Sequence, residues 1–119
     1  MSSVSDIKSA FFTNAAALRK TESLSVPGMG SLTIRGLNGA EYDAFESAST
    51  VKKPDGSDPQ FIADRATVLR YGVIDPETGN HVFSDEDLVS LRGLPAAALL
   101  PIAKAILRLS GVGEDAGKN

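Results

Sequence analysis

The 119-residue sequence contains no cysteine and only one histidine. Without cysteine the chain has no disulfide, no thiol nucleophile and no thiolate ligand for zinc, and a single histidine excludes a two-histidine metal site. The longest apolar stretch is shorter than the ~20 residues that a helix needs to cross a bilayer. The amino terminus also lacks the basic start and the apolar run of a signal peptide. We therefore expect a soluble protein that is not exported.

An excess of positive charge is missing as well. Twelve lysines and arginines oppose fifteen aspartates and glutamates, which leaves a formal net charge of −3. Both signs are spread over the whole chain, so it has no basic stripe that could follow a phosphate backbone, and nucleic acid is not an expected partner. The length favours one domain with one core. We predict this domain over residues 1–112 and a flexible tail over residues 113–119.

Alternating apolar residues indicate a β-hairpin near the amino terminus. Leu24 and Val26 precede the turn sequence PGMG, and Leu32 and Ile34 follow it with the same period of two. Because a lone hairpin is marginal in water, these four side chains are expected to pack on helices or on another subunit. A short amphipathic helix is predicted over residues 5–12, ahead of the hairpin, with Ser5 or Asp6 as its cap.

Three capped helices are predicted after the hairpin. Asn38 caps the first of them and Glu41 reaches back to the cap. A loop rich in proline, glycine and aspartate over residues 51–59 leads to the second, which Asp58 caps. Ser84 caps the third, with an acidic first turn that suits the helix dipole. The predicted ranges are residues 39–49, 59–71 and 84–93.

One more helix is predicted over residues 94–110. It would be apolar on almost every face, with Lys104 and Arg108 as its only charges. Pro101 lacks a backbone donor and crowds the preceding turn. We therefore expect a kink there, or a break near Leu100 followed by a main helix that begins at Pro101. Together these segments predict an α+β fold, mainly α: an N-terminal β-hairpin plus three to five short helices in one small domain.

Residues with catalytic or metal-binding chemistry are few. His81 lies in no recognisable nucleophile motif. Residues 75–86 have the length of a calcium loop, but Asn80 occupies the position that needs glycine. Paired carboxylates lie at helix starts, where capping explains them. We therefore expect no enzyme, no cofactor, and no catalytic, cofactor-binding or metal residues. The alternative is an enzyme or a small-ligand protein that uses His81 with Asp75 or Asp85.

The order and spacing of the segments resemble the tail assembly chaperones of long-tailed, siphovirus-type bacteriophages. The chain opens SDIKSAFF, and its strand pair ends in TIRGLNGAEYDAFES. A helix then runs into VLRYGVIDPETGNHVFSDEDLVSL, and the last helix ends AILRLSGV. The resemblance covers residues 5–112 and is most specific over residues 37–46 and 71–91. The chain departs from the family pattern in LPAAALLPIA, where such proteins are usually more polar and lack a proline within the helix.

This resemblance implies a non-enzymatic assembly factor in the cytoplasm of the infected host cell, absent from the mature virion. It would form a homo-oligomer, bind the tape-measure protein, keep it soluble and help recruit tail-tube protein. In that family a programmed frameshift near the end of the gene yields a longer form. One encoding of residues 117–119, GGA AAA AAC, contains a slippery run. The alternative is a small phage structural or connector protein that is retained in the virion.

The apolar last helix is the predicted interaction surface. Lys104 and Arg108 mark one narrow polar strip, since they are four residues apart. One side is expected to meet the second capped helix through Ile62, Ala66 and Leu69, and the other to contact another subunit or the tape-measure protein. The alternative is that both sides are buried in the chain's own core. The candidate contact residues are Leu99, Leu100, Ile102, Ala103, Ile106, Leu107 and Leu109.

Overall fold

A computed structural model of the protein describes residues 3–112. The predicted tail over residues 113–119, with the residues of the frameshift hypothesis, lies outside this part of the chain. The helices are α1 (Val4–Ala16), α2 (Gly39–Ser49), α3 (Arg65–Gly72), α4 (Leu88–Arg92) and α5 (Ala96–Leu109). The strands are β1 (Thr21–Val26), β2 (Gly30–Arg35), β3 (Thr50–Val51), β4 (Gln60–Phe61) and β5 (Val73–Ile74). The predicted α+β class, mainly α, with an N-terminal hairpin in one small domain, is confirmed.

The predicted hairpin is formed by β1 and β2, which pair antiparallel with Leu24 opposite Leu32. Its turn places Gly28 and Gly30 at φ +79° and +80°, a region that glycine occupies without a steric cost. On its other edge β2 pairs with β5, which gives a three-stranded sheet in the order β1-β2-β5. The pairing of Ile34 with Val73 supplies the third strand that a lone hairpin needs for stability.

Helix α2 has the predicted bounds and the predicted cap. The Asn38 side chain accepts a hydrogen bond from the Glu41 N–H at 2.8 Å, and the Glu41 carboxylate accepts one from the Asn38 N–H at 3.0 Å. Helix α1 is longer than predicted at both ends. Its cap is Ser3, which bonds Asp6 reciprocally, so the helix begins ahead of the predicted cap and continues to Ala16.

The prediction of a helix over residues 59–71 is wrong for its first half. Gln60–Phe61 instead forms strand β4 on Thr50–Val51, and the Ser49 carbonyl accepts a hydrogen bond from the Ile62 N–H at 2.7 Å. The Ser49 hydroxyl then accepts one from the Asp64 N–H at 2.8 Å. These bonds hold residues 60–64 extended, so α3 begins at Arg65 and Asp58 caps no helix.

The later helices follow the predicted positions. Ser84 and Asp87 form the predicted capping box on a 3₁₀ turn, Asp85–Asp87, which leads into α4. Helix α5 is continuous through Pro101, so the alternative of a break near Leu100 is wrong. Pro101 and Ala97 are both exposed, and the Ala97 carbonyl that lacks its helical donor can therefore bond water.

The core lies between the sheet and the helices α2, α3 and α5. Its largest fully buried apolar side chains are Ile34, Val68, Val73, Ile102 and Ile106. Gly72 of α3 faces Ile106 so closely that a Cβ added at Gly72 would collide with the Ile106 side chain. The two helices therefore approach each other at a position that only glycine permits. None of the described helices is long and apolar enough to cross a membrane.

Asp64 ties the start of α3 to α4. Its carboxylate accepts hydrogen bonds from the Thr67 hydroxyl at 2.9 Å and from Arg92 Nη2 at 2.6 Å. Burial raises the pKa of Asp64, but the bonds from Arg92 and Thr67 outweigh it, so the pKa is lowered. A carboxylate with a lowered folded-state pKa stabilises the fold above its unfolded value of ~3.9, and that stability is lost as pH falls through the folded-state pKa.

We expect Asp64→Asn to lower the free energy of unfolding at neutral pH by about 1 kcal/mol, because the Arg92 pair is partly solvent-screened. The stabilities of the variant and the natural chain should begin to converge near pH ~4, where Asp64 of the unfolded chain takes up a proton, and should meet as pH falls through the lowered pKa of the folded state. Urea unfolding at a series of pH values measures both effects. Asp58→Asn, at an exposed carboxylate, is the control. A stability difference that persisted at low pH would contradict this role for the Asp64 charge.

Candidate functional site

Four of the seven predicted contact residues lie in the core. Leu99, Ile102, Ala103 and Ile106 are buried in one cluster with Ala66 and Leu69 of α3 and with the sheet. This confirms the predicted packing of α5 on α3, except at Ile62, which is 52% exposed and lies outside the helix. Leu107 and Leu109 are half-buried against the same cluster. The four buried residues, Leu99, Ile102, Ala103 and Ile106, are therefore unavailable to a partner in the folded chain.

Leu100 alone among the predicted residues stands on the surface, 42% exposed. It borders a shallow depression of about 290 Å³ between α5 and the start of α3, and Leu94 borders it as well. Asp64, Arg65 and Arg92 also line it. Exposed leucines next to charged side chains are a usual composition of a protein contact, so this depression is the surface that remains of the predicted site.

A larger apolar surface lies on α1, which has no buried residue. We call this helix and residues 17–18 the arm. Its apolar stripe repeats at spacings of three and four and consists of Val4, Ile7, Phe11, Ala15 and Leu18, all exposed. Phe12 is also exposed and its ring packs edge-on against Phe11, with 5.5 Å between ring centroids. The sequence prediction reached only residue 12, so it missed the length of the stripe.

A second apolar surface is a groove of about 460 Å³ between the hairpin tip and the first turns of α5. We call it the hairpin groove. Its walls are Leu24, Ser25, Val26, Pro27, Met29, Pro95, Ala97, Ala98 and Pro101. Pattern analysis missed it because its two walls are some 70 residues apart in the chain. Pro101, which departs from the family pattern, forms part of this groove.

Glu41 joins the base of the arm to the body. It is 7% exposed, and its Oε1 accepts hydrogen bonds from Arg19 and from the Asn38 N–H. Its Oε2 lies 2.8 Å from Nε2 of His81. Arg19 also donates from Nε to the Gly36 carbonyl at 2.9 Å. The Glu41 carboxylate therefore joins three segments of the chain, which contain Arg19, Asn38 and His81. The sequence predicted only its role in capping α2.

Arg35 lies beside this cluster, at the end of β2. Burial, followed by the positive charge of Arg19, lowers the pKa of Arg35, while Glu41 opposes the shift. Arg35 Nε is buried without a hydrogen-bond partner within the described residues. The Glu41 carboxylate thus offsets the positive charges of Arg19 and Arg35, which makes it the electrostatic centre of this end of the fold.

His81 does not pair with either aspartate of the enzyme alternative. Its hydrogen-bond partner is Glu41, and Tyr71 packs edge-on against its ring at 5.5 Å. Asp85 instead accepts a bond from Arg70 at 3.0 Å, and Asp75 accepts one from the Glu77 N–H in a local turn. Over residues 3–112 no group of three or more His, Asp or Glu side chains is placed to hold a metal ion.

The chain matches no known protein family, no curated protein and no solved structure in the comparisons made. The arm, the hairpin groove and the Leu100 depression therefore have to be interpreted from their own geometry. The arm and the hairpin groove are apolar, whereas the Leu100 depression has a mixed lining of leucine and charged side chains, and all three lie on the surface of the described part of the chain. Exposed apolar patches of this kind are typical of protein-binding surfaces.

Proposed function

We propose that this protein is a non-enzymatic tail assembly chaperone of a long-tailed bacteriophage, which binds the tape-measure protein and keeps it soluble. Exposed apolar surface on a small folded domain is the observation that carries the proposal. Leu94 and Leu100 remain exposed on the body, in addition to the side chains of the arm. The order of motifs over residues 5–112 supports the choice of the phage family.

The Leu100 depression is the proposed contact with the tape-measure protein. Leu94 and Leu100 would contact apolar side chains of an extended client, and the exposed Arg65 would attract acidic groups beside them. Such a site releases its client readily, because a small and shallow contact gives modest affinity. Reversible binding is what an assembly factor requires, since the client must later enter the tail.

The test is co-expression of the tape-measure protein from the same phage with Leu100→Asp. We expect the tape-measure protein in the soluble fraction with the natural chain and in the pellet with Leu100→Asp, because a charge at this position opposes apolar contact. Val89→Asp is the matched control, since Val89 is 77% exposed on α4 and lies outside the depression. Circular dichroism checks that both variants are folded. Equal solubility with all three chains would contradict the proposed site.

The proposal includes action in the host cytoplasm, homo-oligomer formation and absence from the mature virion. Mass spectrometry of purified particles checks the last point. Detection of the chain there at the abundance of a tail component would favour the alternative, a structural or connector protein retained in the virion. Recruitment of tail-tube protein is assigned to a longer, frameshifted form. Its test is the gene sequence around codons 117–119 and a search of infected lysates for the longer product.

A further inference from the structure

Strand β1 is an open edge of the three-stranded sheet. It is the outer strand in the order β1-β2-β5, so β2 pairs along one side of it only. The Gly36 N–H bonds the Lys20 carbonyl at 3.0 Å, and this bond fixes the alternation of the antiparallel ladder. The even-numbered residues of β1 therefore bond β2, whereas the N–H and carbonyl groups of Thr21, Ser23 and Ser25 face away from it.

These six outward backbone groups are free to pair with another strand. Over residues 3–112 none of them forms a backbone hydrogen bond, and the three residues that carry them are exposed. Edge strands are commonly protected from pairing by lysine, by proline or by a bulge. Strand β1 contains neither lysine nor proline, and its register with β2 is unbroken over six residues. It is therefore an unprotected template for strand addition.

The hairpin groove runs along this open edge. Its lining includes three consecutive residues of β1, Leu24, Ser25 and Val26, and no residue of β2. Consecutive side chains of a strand point to opposite faces, so a groove that touches all three lies beside the strand and not beneath one face of it. The opposite wall, at the start of α5, consists of alanine and proline only. These small side chains leave room for apolar side chains of a strand next to β1.

We propose that an extended segment of another protein adds to β1 as a fourth, antiparallel strand and places every second side chain in the hairpin groove. Backbone hydrogen bonds to Thr21, Ser23 and Ser25 would supply affinity, and the groove would select apolar residues at alternate positions. The open backbone edge is what identifies the occupant as a strand, since an apolar groove alone would fit a helix equally well.

Strand β1 of a second copy is a poorer occupant of the same edge. Alternate side chains share a face, so a second β1 would direct its Glu22 toward the groove together with its Leu24. The Glu22 carboxylate bonds Arg108 at 3.0 Å, and an apolar groove offers it no such partner. The edge is also separate from the Leu100 depression, so this proposal does not rest on the proposed function.

Three peptides test whether the backbone edge takes part in binding. The first is KTVTVTVK, blocked at both ends, with valine as the groove residue. In antiparallel addition its threonine N–H groups face β1 and its valine N–H groups face solvent. The second peptide is N-methylated at the three threonines and the third at the three valines, so the two have the same composition and the same number of methyl groups.

Isothermal titration calorimetry of the natural chain gives the result. Methylation of the threonines should weaken binding at least about tenfold, because several backbone hydrogen bonds are lost, whereas methylation of the valines should change it little. The reverse preference would support addition at the same edge with parallel strands. Equal affinity of the two methylated peptides, or no saturable binding of the unmodified peptide, would overturn the proposal.

Variants of the chain test the two halves of the site. Ser23→Pro removes one outward N–H without breaking a bond to β2, a substitution that edge strands tolerate, and Ser23→Thr keeps the N–H as its control. Ala97→Glu places a charge in the groove, and Ala96→Glu, beside the Leu100 depression, is its control. All three positions are exposed, and circular dichroism checks the fold.

Both Ser23→Pro and Ala97→Glu should weaken binding of the unmodified peptide about tenfold, and both controls should change it less than about twofold. Normal binding by either folded variant would contradict the site. The peptide comparison remains decisive if a variant fails to fold. Sedimentation without peptide detects the other occupant: an oligomer that Ser23→Pro dissociates would place a second copy on the edge and overturn the proposal.

Discussion

Replacing Ile106 with alanine is expected to lower the free energy of unfolding by about 3–4 kcal/mol. Ile106 is 0% exposed at the centre of the contact between α5 and α3, and truncating such a side chain loses both burial and packing. Domains of this size are stable by about 5–15 kcal/mol, so the loss is a large share of the total. Urea unfolding followed by far-ultraviolet circular dichroism measures it. Leu100→Ala, at an exposed position of the same helix, should change stability by less than about 0.5 kcal/mol.

The close approach of Gly72 to Ile106 gives this prediction an internal check. Gly72→Ala alone should destabilise by about 1–3 kcal/mol, because the added Cβ collides with the Ile106 side chain. Combined with Ile106→Ala, the same change fills space that the truncation has opened. The double variant should therefore lose clearly less stability than the sum of the single variants. Strict additivity would mean that these two residues are not in contact.

The second large effect is expected from Glu41→Ala, which should cost about 2–4 kcal/mol. The change deprives the Asn38 N–H of its cap and leaves Arg19 and His81 without their carboxylate partner. Removing one member of a partly buried, hydrogen-bonded charge pair is costly because the groups left behind are only partly hydrated. Chemical denaturation measures the loss. Glu46→Ala on the same helix is the control, since Glu46 is exposed.

Glu41→Gln separates the charge of this residue from its shape. The amide oxygen of glutamine can still accept from the Asn38 N–H, whereas the attraction to Arg19 is weakened. We expect a stability between those of the natural chain and Glu41→Ala. Hydrogen exchange should also become faster over residues 17–20, because Arg19 anchors the arm through Glu41. Unchanged exchange there would show that the arm is fixed without this carboxylate.

Features that depend on near neighbours were predictable from the sequence. The Asn38 and Ser84 capping boxes each need residues three positions apart, and both form as predicted. The hairpin follows from apolar residues that alternate with polar ones on both sides of a glycine-containing turn. Its two strands pair in register directly across that turn. The predicted helix over residues 59–71 was wrong in its first half, because strand pairing with Thr50–Val51 and the Ser49 bonds outweigh local helix preference there.

For the candidate site, the sequence identified α5 as apolar on several faces but did not show which of them is exposed. That outcome depends on where α3 and the sheet pack, so Ile102 and Ile106 became core while Leu100 stayed on the surface. The hairpin groove was beyond prediction for the same reason, since its walls meet only after the hairpin tip lies beside α5.

The sequence by itself thus determined the fold class, the hairpin, the capping boxes at Asn38 and Ser84 and the absence of thiol chemistry. These follow from residue types and from spacings within a turn or a strand pair. Only the tertiary structure decided that the arm is left uncovered, that Glu41 joins three segments, and that Pro101 lies in a groove. These three features depend on contacts between residues far apart in the chain, and a local sequence pattern does not predict which of those residues become buried.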